Sequence, residues 1–136
     1  MMMGTIRTFD PELRKEIYNE IRQIAKGIET ATGANIKVEF DVGGFYPVTY
    51  NNIALGERMK QSLIDATDGN FAEITRRTGA EDFSYFSQEI PGLYIFLGVN
   101  DPGKLEQAGN HSPYFTVNDD ALDEGLKSLV YMTIDY

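Results

Sequence analysis

The chain has 136 residues, the length of one ordinary domain or of two small ones. Its 42% hydrophobic and 24% charged residues are typical of a folded globular protein and argue against disorder. The formal net charge of -9 argues against nucleic acid as a partner, because a polyanion is bound by a basic surface. No apolar run approaches the roughly 20 residues that span a bilayer, so no membrane association is expected. The lack of cysteine fits a reducing cytoplasm.

The first 42 residues predict a strand, a helix and a second strand. β-Branched residues mark 4–9 as a short strand, and Asp10-Pro11 is typical of a helix start. Apolar residues at helical spacing continue to Thr32-Gly33, where the glycine favours a helix end. Residues 36–42 alternate between apolar and charged side chains, which predicts a strand with one buried face.

The remaining residues predict alternating helices and strands. Asn51-Asn52 is typical of a helix cap, and the helix continues to Ala66. A short strand at 71–75, a short helix at 81–88 and a strand at 93–98 follow; the last is apolar throughout, which indicates burial on both faces. After a polar loop at 99–113, a final helix begins at Asn118 or Asp119. Its buried side is expected to hold Ala121, Leu122, Gly125, Leu126, Leu129 and Val130.

These elements predict an α/β protein overall. An α+β strand–helix–strand unit at residues 1–48 precedes a partial layered α/β segment at residues 49–136. Two strands and one helix leave sheet edges unpaired, so the first unit is expected to need a further layer.

His111 is the only histidine, and it lies in the polar loop after the predicted buried strand. In layered α/β proteins such loops bind ligands, and imidazole is a frequent zinc ligand. A metal site needs three or four protein ligands, so this cysteine-free chain provides only a partial site. A surface histidine without a role is the alternative.

Glu81 and Asp82 stand together after Gly79, at the start of a short predicted helix. Either they stabilise the helix dipole, by about 0.3–1 kcal/mol, or one of them faces a cationic site or orients a metal ligand. Arg7 interrupts a predicted strand. Its guanidinium can bind a carboxylate through two hydrogen bonds, or it can be solvated on an exposed face.

Three motifs occur in a fixed order along nearly the whole chain. They are Gly-Thr-Ile-Arg-Thr-Phe-Asp at 4–10, Gly-Ala-Glu-Asp-Phe-Ser-Tyr-Phe at 79–86 and Asn-His-Ser-Pro-Tyr-Phe at 110–115. Together they resemble the C-terminal portion of the M20 family of metallopeptidases, in the branch of amidohydrolases that cleave N-acyl amino acids and related amides.

The resemblance implies a catalytic α/β domain with a two-metal site, usually zinc or manganese, and an inserted lid domain that often dimerises. Residues 1–48 would be part of the lid and residues 49–136 the C-terminal part of the catalytic domain. The resemblance also implies a metal-ligand role for His111 and a contact between Arg7 and the substrate carboxylate. Gly79, Glu81 and Asp82 would form a loop beside the substrate.

The same resemblance implies that the other metal ligands and the general-base glutamate are missing. We therefore expect a truncated piece of a metal-dependent amidohydrolase or peptidase, inactive alone; Met1-Met2-Met3 before the lid strand suits a start inside an older reading frame. An N-acyl amino acid or a peptide would be its substrate once complemented. Exposed sheet edges predict a homo-oligomer or a complementing N-terminal chain. The alternative is a non-enzymatic binding or assembly module that keeps the fold without metal.

Overall fold

A computed structural model describes residues 1–104 and 106–136, and their regular structure consists of helices. The helices are α1 (Pro11–Thr32), α2 (Ile53–Ala66), α3 (Phe83–Glu89) and α4 (Asp120–Asp135). The predicted helices are thus confirmed. The chain forms two compact units: one comprises Met1–Tyr50 and Arg76–Ile90, and the other comprises Asn51–Thr75 and Pro91–Tyr136.

The prediction of an α/β fold with a strand–helix–strand unit is wrong for the part of the chain that the structure describes. Residues 36–40 do keep the predicted alternation, with Ile36, Val38 and Phe40 half-buried and the charged residues between them exposed. No backbone hydrogen bond joins this segment to 4–9 in the described residues. A strand exists only when a neighbouring strand accepts and donates its backbone hydrogen bonds, and side-chain alternation does not supply that neighbour.

α1 begins and ends as its sequence predicts. The Asp10 carboxylate accepts hydrogen bonds from the backbone N–H groups of Glu12 and Leu13, at 2.8 and 3.4 Å. Gly33 ends the helix in the left-handed conformation, with φ of 73°. Local hydrogen bonds therefore fix both ends of α1 without help from a sheet.

α1 packs on the 36–45 segment through aromatic and charged side chains. The rings of Tyr18 and Phe40 stack with centroids 4.0 Å apart, and the Arg14 guanidinium lies 3.6 Å from the Phe45 ring centroid. The Tyr18 hydroxyl donates to the Asp41 carboxylate at 2.7 Å, and burial together with this carboxylate raises the pKa of Tyr18. None of the α1 residues is fully buried, so much of its apolar stripe remains exposed.

The apolar run at 93–98 is not the doubly buried strand that its composition predicts. Ile95, Phe96 and Leu97 are exposed. The backbone of Tyr94 is held by one side chain instead: its N–H donates to Asn51 Oδ1 at 2.7 Å, and its carbonyl accepts from Asn51 Nδ2 at 2.9 Å. The amide of Asn51 thus takes the place of a neighbouring strand at this residue.

The core of the second unit is the contact between α2 and α4. Its buried residues include Met59, which is 2% exposed, and the small residues Ala66, Ala121 and Ser128. Of the buried side expected for α4, Ala121 is buried, but Leu122, Leu126, Leu129 and Val130 are exposed, so that expectation is wrong for the leucines and the valine. α4 therefore carries apolar side chains beyond the residues that its contact with α2 buries.

Among the described residues, no helix combines the length and the apolar character that crossing a bilayer demands.

Glu29 links the end of α1 to the following segment, and this link predicts a pH dependence. Its carboxylate accepts from the Ile36 backbone N–H at 2.9 Å and from Lys26 Nζ at 3.3 Å, and these two partners lower the pKa of Glu29. A depressed carboxyl pKa stabilises the fold above the ordinary value of about 4.3, and the gain is lost as the pH falls through the folded-state pKa.

We expect Glu29→Gln to lower the free energy of unfolding at pH 7 and to have a smaller effect at pH 3, because the stabilisation from a depressed carboxyl pKa diminishes below the ordinary pKa of about 4.3. Urea denaturation followed by circular dichroism at the two pH values measures this. Glu20→Gln is the control, since it removes a charge from an exposed position on the same helix that makes no described hydrogen bond. A deficit for Glu29→Gln that stays equal at both pH values would contradict the prediction.

Candidate functional site

Arg7 and the 79–82 segment lie beside each other in the first unit. The Arg7 guanidinium donates from Nη1 to the backbone carbonyl of Thr78, the residue before Gly79. Near them, the Arg76 guanidinium lies 5.8 Å from the centroid of the Phe9 ring. A guanidinium has five N–H donors, and the bond to Thr78 occupies one of them. Arg7 is exposed, so its other donors are available to a carboxylate.

The Gly79–Asp82 loop is anchored to α3 by hydrogen bonds from Ser84. The carbonyl of Glu81 accepts from both the N–H and the hydroxyl of Ser84, at 3.1 and 2.6 Å, and Ser84 is completely buried. The Glu81 carboxylate folds back over Gly79, so that a β-carbon built on Gly79 would lie 3.8 Å from Glu81 Oε1. Asp82 is exposed, and its side chain makes no capping hydrogen bond to α3. The loop backbone is thus held by Ser84, the Glu81 carboxylate lies over Gly79, and the Asp82 carboxylate is exposed.

α3 is tied to the 45–48 segment of the same unit. The Tyr85 hydroxyl donates to the carbonyl of Phe45, and Gln88 Nε2 donates to the carbonyl of Val48 at 3.0 Å. The rings of Tyr85 and Tyr46 lie 6.0 Å apart. These contacts hold the helix that carries Glu81 and Asp82 at its beginning.

His111 belongs to the second unit, whereas Arg7, Gly79, Glu81 and Asp82 all belong to the first. It is exposed and sits at the tip of a turn in which the Ser112 N–H donates to the Gly109 carbonyl at 3.1 Å. Its φ is 73°, a left-handed conformation that is uncommon for a residue with a β-carbon. Such a conformation costs on the order of 1–3 kcal/mol and persists only where surrounding contacts impose it.

Gln107 closes the loop around His111, although no sequence motif marks it. Gln107 Nε2 donates to the carbonyl and the hydroxyl of Thr116, at 3.0 and 2.6 Å. Its Oε1 accepts from the backbone N–H of Asp101 at 3.0 Å. A glutamine in a polar loop gives no periodic signal, so only the fold reveals this role. Asn51 is a second such residue: its sequence indicates a cap, but it also pairs with the Tyr94 backbone.

The donor atoms present do not make up the two-metal site that the motif resemblance implies. Across residues 1–104 and 106–136, no three His, Asp or Glu side chains lie close enough together to hold a metal ion. The sequence has a single histidine and no cysteine. His111 can therefore supply at most one ligand, and a metal centre of this kind requires ligands beyond those described.

Comparisons with known proteins give a consistent answer. The model of the family described as "Peptidase family M20/M25/M40" matches residues 5–135 of the chain. The chain is 33% identical over 135 residues to thermostable carboxypeptidase 2 of Saccharolobus solfataricus, covering 99% of this chain and 34% of that protein. It is 34% identical over 128 residues to an N-acetyldiaminopimelate deacetylase of Lacticaseibacillus paracasei, covering 94% and 32%.

A plant protein matches as well. IAA-amino acid hydrolase ILR1-like 4 of Arabidopsis thaliana is 31% identical over 136 residues, which cover 98% of this chain and 31% of that protein. No solved structure matches the chain. The chain spans about a third of the length of the curated relatives it matches. Because the family match extends over nearly every residue, the chain belongs to peptidase family M20/M25/M40.

Proposed function

We propose that this chain is one portion of a metal-dependent amidohydrolase or peptidase, which hydrolyses N-acyl amino acids or related amides when a second chain completes it. The family match over residues 5–135 carries the proposal. The matched relatives are named as a carboxypeptidase, a deacetylase and an amino acid hydrolase, so hydrolysis is common to their names. The lack of cysteine supports the cytoplasm as the place where it acts.

The residues of this chain would bind and orient the substrate. Arg7 would pair with the substrate carboxylate, because its guanidinium is exposed and the bond to Thr78 fixes its position without using all of its donors. Glu81 and Asp82 would lie beside the substrate on the loop that Ser84 anchors. Their negative charges would repel a second carboxylate of the substrate. They would attract a cationic group of the substrate or a part of it that is bound to metal.

His111 would contribute one ligand to the metal site, and the metal would be zinc or manganese. The other ligands and the general base would come from the second chain, because the described residues do not include a sufficient set. On this proposal the 136 residues alone hydrolyse nothing.

The exposed apolar surface supports a second chain. Several large apolar side chains of α4 are exposed, among them Leu122 at 57%, Leu126 at 62% and Ile134 at 76%. In the second unit, Leu55, Leu93, Leu129 and Met132 line an open apolar groove of about 350 Å³. Surfaces of this kind mark sites of protein association. A second copy would bring two chains of charge -9 together, which disfavours a homo-oligomer relative to a different partner.

Reconstitution tests the proposal. The carboxypeptidase from S. solfataricus is divided into the 135-residue stretch matched here and the remainder, and the remainder is mixed with this chain in the presence of Zn²⁺ or Mn²⁺. We expect hydrolysis of N-acetyl amino acids or of a short peptide with a free carboxylate from the mixture, and none from this chain alone.

The relative's own two parts are the matched control. If those parts recover activity together while this chain cannot replace the smaller one, the proposed function is wrong. Turnover by this chain alone, above the level of a His111→Ala variant, would refute the claim that it is inactive by itself.

The second candidate is a binding or assembly module without metal. The incomplete donor set favours it, since Arg7 could still recognise a carboxylate. Metal analysis of the reconstituted mixture separates the two candidates. Bound metal at a fixed ratio that is lost in His111→Ala supports the hydrolase, and carboxylate binding without metal supports the module.

A further inference from the structure

Residues 99–104 and 106–118 belong to a loop with a backbone closure at its base and a side-chain closure nearer His111. At the base, the Asn118 N–H donates to the Val99 carbonyl at 2.9 Å. Further along, Gln107 joins the two sides, accepting from Asp101 and donating twice to Thr116. We call these three bonds the Gln107 clasp. A glutamine that uses both ends of its amide in this way fixes the separation of two backbone segments.

Two turns that share Ser112 occupy the space between the ends of the clasp. The Ser112 N–H donates to the Gly109 carbonyl, and the Phe115 N–H donates to the Ser112 carbonyl, both at 3.1 Å. The Ser112 hydroxyl accepts from the Tyr114 N–H at 3.2 Å. His111 stands within the first turn in its left-handed conformation. A strained conformation at an exposed residue needs the ends of its segment to be held, and the clasp holds them.

We propose that Gln107 is a positioning residue, which sets the direction of the His111 imidazole by closing the loop beneath it. The inference rests on the proposed function for its purpose, because a ligand histidine must be held in one orientation. The hydrogen bonds of Gln107 from which the inference is drawn do not depend on that function. Gln107 itself touches neither substrate nor metal in this assignment.

The single histidine makes the test direct, because one set of imidazole signals reports on His111 alone. Ring chemical shifts and line widths are measured by NMR on the full chain labelled at histidine, at a fixed pH, for wild type and variants. Gln107→Ala and Gln107→Glu are expected to move the His111 ring signals to the values of a short unstructured peptide. The glutamate keeps the acceptor for Asp101 but cannot donate to Thr116. Thr116→Ser, which keeps both acceptors, is expected to leave the signals unchanged.

Gln88→Ala is the matched control, since it removes a hydrogen-bonded glutamine from the other unit. It should leave the His111 signals where they are. Far-ultraviolet circular dichroism checks that each variant retains its helices. Unchanged His111 signals in Gln107→Ala, or equal displacement by Gln88→Ala, would overturn the proposal.

The reconstituted mixture gives a second measurement. Loss of a residue that orients a metal ligand typically costs 10–100-fold in activity, so Gln107→Ala is expected to lower kcat by at least about tenfold and to leave KM within about twofold. A fall in kcat/KM carried by KM alone would contradict a positioning role. The NMR result stands whether or not reconstitution succeeds, so failure of the clasp and failure of the proposed function are told apart.

Discussion

Replacing His111 with alanine is expected to lower hydrolysis by the reconstituted protein roughly a hundredfold or more, and to reduce its bound metal. The reason is that the sequence has one histidine and no cysteine, so no other side chain of this chain can take over as an imidazole or thiolate ligand. Loss of residues that merely support a ligand already costs 10–100-fold, so loss of the ligand itself should cost at least as much. Initial rates and metal analysis of the purified mixture measure both effects.

The control for this variant is Tyr114→Ala in the same loop. Tyr114 is an exposed side chain whose backbone N–H, not its ring, makes the described hydrogen bond, so its loss should change the rate little. Equal rates for wild type and His111→Ala in a mixture that hydrolyses substrate would remove His111 from the site. A folded His111→Ala chain, checked by circular dichroism, is needed for the comparison.

Replacing Met59 with alanine is expected to destabilise the second unit by about 2–4 kcal/mol. Met59 is 2% exposed and lies in the contact between α2 and α4. Methionine-to-alanine changes in cores cost about 2–5 kcal/mol, through lost transfer free energy and the cavity that remains. The open groove beside Met59 lets neighbouring side chains relax, which places the cost below the top of that range. Urea denaturation monitored at 222 nm measures the change.

Leu126→Ala is the matched comparison for Met59→Ala. Leu126 is 62% exposed, so its truncation should change the free energy of unfolding of the isolated chain by less than about 0.5 kcal/mol. A cost for Met59→Ala no greater than that for Leu126→Ala would show that the contact between α2 and α4 is not the core of this unit. In the reconstituted mixture, by contrast, Leu126→Ala should weaken binding if the second chain covers α4.

The helices were predictable because their hydrogen bonds are local. Asp10, Pro11 and Gly33 mark the ends of α1 within the same short segment that forms it, and Asn52 caps α2 through a hydrogen bond to the Leu55 N–H at 2.9 Å. The strands were not predictable in the same way. An alternating pattern such as that of residues 36–42 indicates which side chains gain from burial. Strand pairing depends instead on a second strand that is distant in sequence.

The candidate site likewise has features that the sequence predicts and features that only the tertiary structure shows. Its motifs could be located from residue order alone, and the family that they resemble is the family to which the chain belongs. The contact of Arg7 with the Thr78 carbonyl, the anchor at Ser84 and the Gln107 clasp could not be located in this way. Each of them joins a side chain to a backbone group, and any residue type carries such a group, so no motif marks the acceptor.

By itself, the sequence determined the positions of the helices, the acidic charge, the family and the scarcity of metal ligands, since each depends on neighbouring residues or on composition. Only the tertiary structure decided that the apolar segments at 36–42 and 93–98 lie outside any sheet, and that α4 leaves an apolar side uncovered. It also decided how Gln107 closes the loop of His111. The physical reason is that burial and strand pairing depend on which surfaces come into contact. The local sequence specifies only which surfaces are apolar and would be stabilised by burial.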